Sequence, residues 1–349
     1  MKTTVLITAA NGNTGFPAAK ELLNLGFGIR AFVRNPQNEK AKELKKLGAE
    51  IFVGDIQDIR DVRESLKGIE SAYFIPTYPN VLFQGATFAT AVEEMKIKSV
   101  VVLTQWLSSN SHPSVYTKEH WLVDQLFRRL KSTIVTFLNP GLFAFVYFMM
   151  PEPMLQLGMM PDFGTNAPPS NEDIGLVAAH ILKKPESHIN KTYRVTSKTL
   201  LKPQEMADIV SKVVGRKIKS QKLPESMLLK MFRSYGFPKM DASQVIHYVK
   251  DGHNGGFAIN APTTAVKDIV GKEADDFETI TRRYLKDNPM TKQTELNKLK
   301  TMGIMTKAIM TSKWNMNKYE IEQGFPIFNK MVLSNESEEW KLEHTKHNG

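Results

Sequence analysis

The residues Ala9-Ala10-Asn11-Gly12-Asn13-Thr14-Gly15 stand between a β-branched apolar run, Thr3 to Thr8, and a stretch whose Ala18, Ala19, Leu22, Leu23 and Leu25 follow helical spacing. A strand, a glycine-bearing turn and a helix in that order can hold the pyrophosphate of a dinucleotide. Glycine lets the backbone approach the phosphates, and the free N–H groups at the helix start face them in its positive dipole field. Gly12 and Gly15 suit the two needs, close approach and tight helix–strand packing, while Ala9 stands in for the first glycine. Asn11, Asn13 and Thr14 complete the cofactor loop. A tight βα turn with no ligand would carry the same local signature.

The end of the second strand, Ile29 to Val33, bears on which dinucleotide. An acidic residue there would take a ribose 2′-hydroxyl, and none occurs between Ile29 and Asn38. Arg34 occupies the place instead, with Lys40 close behind, and a guanidinium suits a 2′-phosphate. NADP(H) is therefore favoured over NAD(H), the alternative being an exposed arginine with no role.

The elements that must position these residues alternate. Strand Thr3–Thr8, helix from Thr14 to Gly26, strand Ile29–Val33, helix Lys40–Leu47 and strand Glu50–Val53 succeed one another. That spacing demands a parallel sheet with right-handed crossovers. The expected fold class is α/β, a Rossmann-type doubly wound parallel sheet with a smaller, mostly helical C-terminal substrate lobe. The 349 residues, 42% apolar and 23% charged, exclude disorder and fibres. The absence of Cys excludes disulfides, a thiolate nucleophile and Cys-based metal sites, and no metal is expected. A net charge of +10 suggests an anionic partner or simply a lysine-rich surface. No helix-turn-helix, zinc-finger or RNA-recognition motif supports nucleic acid, and no apolar run is long enough for a signal or a membrane span. The chain reads as cytoplasmic, with no membrane and no nucleic acid among its partners.

Thr8 to Gly15, Val33-Arg34-Asn35-Pro36 and Gly54-Asp55-Ile56 together resemble the NmrA-like family of atypical short-chain dehydrogenases. Asn139-Pro140-Gly141-Leu142-Phe143, Asn171-Glu172-Asp173-Ile174-Gly175 and Lys191-Thr192-Tyr193-Arg194-Val195 extend the likeness over residues 3 to 285. The resemblance implies a Rossmann domain over residues 1–150, completed by segments near 171–200, and a substrate-covering lobe over 151–285. A helical extension, 286–349, follows. It also implies cofactor contacts from Asp55, Ile56, Pro76, Thr77, Thr104 and Pro140, and from Lys118 at the nicotinamide ribose.

Ordinary short-chain dehydrogenases carry a strand-end serine and a Tyr-x-x-x-Lys pair whose lysine lowers the tyrosine pKa. Here the strand end carries Thr104 and Gln105, and the one match, Tyr235…Lys239, is interrupted by Gly236 and Pro238. Catalytic candidates reduce to Lys118, with Tyr116 and His120 beside it as proton carriers and His112 a weaker one. Phe143 and Tyr147 lead a Phe- and Met-rich stretch, through Met160, that could wall an apolar substrate or simply form core. Tyr235, Phe232 and Phe237 in the lobe could also face substrate.

In the extension, Lys286 to Lys318 holds seven lysines against Asp287 and Glu295. Met302, Ile304, Met305, Ile309 and Met310 form a helical apolar stripe, expected to dock inward with lysines outside. Ser334 to Glu339 reads as an acidic helix start anchored by Trp340. Two functions fit: an oxidoreductase moving hydride between NADPH and a small apolar carbonyl or quinone-like acceptor, or a non-catalytic NADP(H)-sensing regulator acting through a partner. A homodimer or a regulatory protein partner is compatible with either.

Overall fold

The computed structural model describes residues 3–326 and 330–346. The strands are β1 (Thr4–Ile7), β2 (Gly28–Val33), β3 (Glu50–Val53), β4 (Ser71–Phe74), β5 (Ser99–Leu103), β6 (Ile134–Leu138), β7 (Met159–Pro161), β8 (Thr192–Tyr193) and β9 (Lys219–Gln221). Seven of them form one parallel sheet in the order β3-β2-β1-β4-β5-β6-β8, and β7 and β9 pair separately. The order reverses between β1 and β4, so their C-terminal ends open a crevice, the place where ligands of doubly wound sheets bind.

The helices between these strands are α1 (Gly15–Asn24), α2 (Glu39–Lys46), α3 (Ile59–Leu66), α4 (Val81–Glu94), α5 (Val115–Phe127), α6 (Pro151–Leu157) and α7 (Asn171–Lys183). Then come α8 (Pro203–Val214), α9 (Glu225–Ser234), α10 (Lys239–His253), α11 (Ala265–Val270), α12 (Phe277–Leu285), α13 (Glu295–Met310), α14 (Met316–Glu322) and α15 (Glu338–Lys346). β1, β4, β5 and β6 are mostly apolar and buried along nearly their whole length because both faces of a parallel sheet are covered. On one face Val5, Ile7, Tyr73 and Val101 meet α1 and α7; on the other Leu6, Phe74, Val102 and Phe137 meet α4 and α5.

A separate cluster gathers Tyr147, Phe148, Met154, Leu155 and Met160 with Met206, Val210, Leu228, Phe232, Ile246 and Phe277. The Phe- and Met-rich stretch is thus core: Tyr147 is 1% exposed, its ring 5.3 Å from Phe163 and 5.7 Å from Phe277. This corrects the expectation of a ligand wall at Tyr147 and of a substrate-facing Phe232, which is 3% exposed. Proline at the start of α6 ends the preceding turn of 3₁₀ helix, Ala144–Phe148, and lets the chain fold back on itself.

The stripe on α13 also differs. Thr301 and Ala308 face inward, Ile304 and Met305 are half-buried, and Met302, Ile309 and Met310 point to solvent. Small side chains let the helix lie close against α6 and α9, and that approach sets which face is covered. After α14 the chain returns to the Rossmann sheet: Val332 N–H donates to Ser111 O at 3.0 Å, and Trp340, 1% exposed, packs by Trp106 and donates through its indole N–H to the Trp106 carbonyl at 3.2 Å.

Candidate functional site

The loop between β1 and α1 is built by contacts that only small residues allow. Ala9 adopts φ +46°, a left-handed conformation in which glycine would be unstrained, and the Gly12 N–H closes the turn on Ala9 O at 2.8 Å. A Cβ on Gly15 would lie 2.5 Å from Ala9 O and 3.0 Å from Ala10 Cα, and one on Gly12 would lie 2.9 Å from Ala9 O. Behind the loop, a Cβ on Gly175 would strike Ala18 N at 2.8 Å, so α7 presses directly on the start of α1. Asp173, fully buried in the first turn of α7, fixes that helix by accepting from Lys272 Nζ and Asp275 N–H, both at 2.7 Å. Thr8 Oγ1 ties the loop to the end of β4 by accepting from Ile75 N–H at 2.6 Å.

A cavity of about 320 Å3 opens here, lined by Ala9, Asn11, Gly12, Arg34, Ile56 and Thr77, with Phe32 and Ile75 as its apolar floor. Thr14, the N-cap of α1, makes no side-chain cap bond, and the first turn of the helix carries no acidic residue. Both features leave the positive end of the helix available to an anion. Arg34 is exposed at the cavity rim and has no ion-pair partner among the described residues. Lys40 Nζ donates to Asn13 Oδ1 at 3.2 Å and so stands next to the loop. A fit to a phosphorylated dinucleotide is therefore present in shape and charge: a glycine cradle, an uncapped helix start and two cations.

The other sequence-derived positions fall in different places. Asp55 is exposed and accepts from Gln57 N–H at 2.9 Å, outside the cavity lining. Thr77 is held by Gln84, whose Oε1 accepts from Thr77 N–H at 2.9 Å, and Pro76 precedes it at the crevice. Thr104 is buried beside Asp124, and Pro140 is buried with its carbonyl accepting from Trp106 N–H at 3.2 Å. Phe143 is half-buried against the sheet core, edge-on to Phe145.

Lys118 lines a second, larger cavity of about 760 Å3 with Asn80, Leu82, Glu119, Tyr319 and Phe325. Its Nζ donates to Pro326 O at 3.0 Å, so it is directed at the returning tail. Burial lowers its pKa and raises that of Glu119, whose carboxylate caps the N–H groups of Val81 and Leu82 at the start of α4.

Tyr116 and His120, four residues apart on α5, face the other way and share one neighbour. Tyr78 stacks on Tyr116 with ring centroids 4.1 Å apart, and its hydroxyl is hydrogen-bonded to His120 Nε2 at 3.0 Å. The Tyr116 hydroxyl donates to Asp241 Oδ1 at 2.9 Å, and burial followed by that carboxylate raises its pKa. Burial alone pushes the His120 imidazole down to about 3. His112, the weakest candidate by sequence, is fully buried: its Nδ1 accepts from Ser114 N–H at 3.0 Å and its Nε2 meets Asp251 Oδ2 at 2.7 Å. Tyr78, Asp241 and Asp251 carry no motif in the sequence, nor does Tyr248 of α10, whose hydroxyl accepts from Gln105 Nε2 at 3.3 Å. The aromatic directly after Pro76-Thr77 was the one local hint, since the others arrive from α10, over a hundred residues away in sequence.

One turn beyond His120, burial pushes Asp124 up to about 7, against a hydrogen bond from Ser108 Oγ at 2.9 Å. The two shifts act oppositely on stability. His120 lies below its ordinary 6.5, so its contribution is complete above about 6.5 and is lost as pH falls toward 3. Asp124 lies above its ordinary 3.8, so its contribution is complete below that value and is lost as pH rises through 7. Relative to wild type, Asp124→Asn is expected to lose stability more steeply on acidification between pH 6.5 and 4, by roughly 1.4 kcal/mol per pH unit. His120→Gln is expected to deviate in the opposite sense. Urea unfolding of the three proteins across that range checks the signs, and parallel curves would refute both assignments.

A parallel sheet with a strand-order reversal, a glycine cradle on α1 and a cation at the end of β2 define a Rossmann-type α/β protein with a helical C-terminal part. The chain belongs to the NmrA-like family, whose sequence profile matches residues 1–300. An NmrA-like family domain-containing protein of Dictyostelium discoideum is 25% identical over 275 residues, covering 68% of this chain and 89% of that protein. An NADPH-dependent quinone oxidoreductase of Escherichia coli, solved with NADPH, superposes with a TM-score of 0.70 at 20% identity, over 80% of this chain and 99% of that one. NmrA, a negative transcriptional regulator solved with NADP, superposes with a TM-score of 0.62 at 14% identity, over 86% and 97% of the two chains. At these identities the superpositions speak to the fold.

Proposed function

We propose that this chain binds NADP(H) and reduces a small apolar carbonyl or quinone-like acceptor. The observation that carries the reading is the convergence of the glycine cradle, the uncapped start of α1 and Arg34 on one cavity. Asn11 and Gly12 would meet the pyrophosphate, Arg34 with Lys40 behind it the 2′-phosphate, and Ile56 the adenine side. When bound, the cofactor supplies the hydride. Reduction of a carbonyl adds that hydride to carbon and a proton to oxygen; a quinone takes the same hydride, which carries both electrons, together with one proton to leave as hydroquinone.

The chain's own residues shape the remainder. His120 is held neutral and the Tyr116 hydroxyl is committed to Asp241, so neither resembles a lysine-activated tyrosine acid. The proton is assigned to solvent, and the Tyr78–His120 pair orients the wall beside it. The second reading, an NADP(H)-sensing regulator without turnover, is favoured by that same commitment of Tyr116 and by Lys118 being directed at Pro326. NADPH consumption above the protein-free control is expected on at least one member of a panel of quinones and aldehydes. Tight NADPH binding with no turnover on any of them, and discrimination of oxidised from reduced cofactor, would decide for the regulator.

A further inference from the structure

The outward face of α13 is apolar. Leu296, Leu299, Met302, Ile309 and Met310 project from it, and Leu299 and Met310 are 65% and 81% exposed. At about 100° per residue these two fall on nearly the same azimuth, opposite the buried Thr301 and Ala308. Lys300 and Lys307 follow each other along one edge of the face, Lys298 lies toward the other, and Lys292 and Lys313 flank the helix ends. Glu295, the helix's one acidic residue, is exposed in its first turn on the same face and pairs with Lys298 Nζ at 2.9 Å, which leaves Lys300 and Lys307 as the cations beside the apolar centre. At the C-terminal end, Lys230 of α9 donates to Ile309 O at 2.9 Å and Arg233 to Ser312 O at 3.0 Å, so two cations from α9 hold the last carbonyls of this segment.

An apolar centre rimmed by lysines, on a helix already docked through its opposite face, is the pattern of a helix lying in the plane of a bilayer surface. No helix among the described residues is long and apolar enough to cross a membrane, so such contact is interfacial. Charge complementarity selects the occupant. An antiparallel two-fold pairing with a second copy would bring Lys300 and Lys307 against their counterparts, whereas anionic headgroups neutralise them. We propose that α13 is a peripheral membrane-binding face for anionic lipid, with Leu299 and Met310 entering the headgroup–acyl boundary and Lys300 and Lys307 meeting phosphates. The face lies away from the cofactor cavity, so this inference is independent of the proposed reductase activity.

The test is co-sedimentation of the full chain with vesicles of phosphatidylserine mixed into phosphatidylcholine, against phosphatidylcholine alone. Binding is expected to the mixed vesicles only and to weaken as salt rises. Leu299→Glu combined with Met310→Glu should lower partitioning by about tenfold or more, and Lys300→Glu with Lys307→Glu by a similar factor. Because all four positions are on the surface, unchanged NADPH affinity and an unchanged unfolding midpoint serve as folding controls. No binding to the mixed vesicles would overturn the proposal. So would retention of binding by the Leu299→Glu, Met310→Glu protein, or a wild-type dimer that this double variant converts to monomer without any lipid binding.

Discussion

Replacing Arg34 by Glu is expected to raise the Kd for NADPH by roughly 10- to 100-fold while leaving NADH binding within a few-fold of wild type. The factor follows from one charge-assisted phosphate contact, about 1.5–3 kcal/mol, at about 1.4 kcal/mol per decade. Arg34 is exposed at the rim of the loop cavity, its guanidinium is unpaired among the described residues, and Lys40, which donates to Asn13, stands behind it. The loss should therefore fall on the 2′-phosphate rather than on folding. Arg34→Lys should recover part of the affinity, since an ammonium keeps the charge but not the planar fork. Because the contact is at the surface, the difference between NADPH and NADH should shrink as salt is raised. Titration of both cofactors by calorimetry reads all three outcomes, and an unchanged NADPH affinity in Arg34→Glu would remove the 2′-phosphate role.

Asp251→Ala should cost about 2–5 kcal/mol of stability and loosen the C-terminal segment. Asp251 is fully buried, and its Oδ2 receives both His112 Nε2 at 2.7 Å and the Ser334 N–H at 3.0 Å. Because His112 Nδ1 accepts from Ser114 N–H, Nε2 carries the proton and donates to the carboxylate. Truncation would orphan two buried donors, each worth about 1–3 kcal/mol. Three segments meet at this carboxylate: the loop before α5, α10 itself, and the chain returning before α15. Urea unfolding should show the loss, and limited proteolysis should cut within residues 311–333 sooner than in wild type. If the midpoint and the cleavage pattern both stay put, the clamp does not hold the tail.

The loop that would bind phosphate was legible from sequence because its determinants are local. Gly12 and Gly15 are demanded by contacts with Ala9 and Ala10, a few residues away, and Arg34 follows its strand directly. The alternation of strands and helices was legible for the same reason, since period and turn residues report on neighbours in the chain. The order of the strands follows from them through the right-handed crossover rule, which leaves few alternatives.

Tertiary structure decided which way each helix turned. Lys118 and His120 sit two residues apart on α5, so a rotation of the helix by half a turn would exchange them. The observed packing sends Lys118 toward Pro326 and His120 toward Tyr78. Aromatic and methionine side chains such as Tyr147 suit a pocket and a core equally; Phe163, past α6 and β7, and Phe277, from the far-off start of α12, made it core. On α13 the apolar residues outnumber what one buried face can cover, and Thr301 with Ala308 won the inward position because small side chains permit the closest approach. Residue types and spacing therefore determined the fold and the glycine-bearing loop between β1 and α1. Burial, which depends on partners far away in the chain, determined which of the remaining polar and apolar side chains are left free to act.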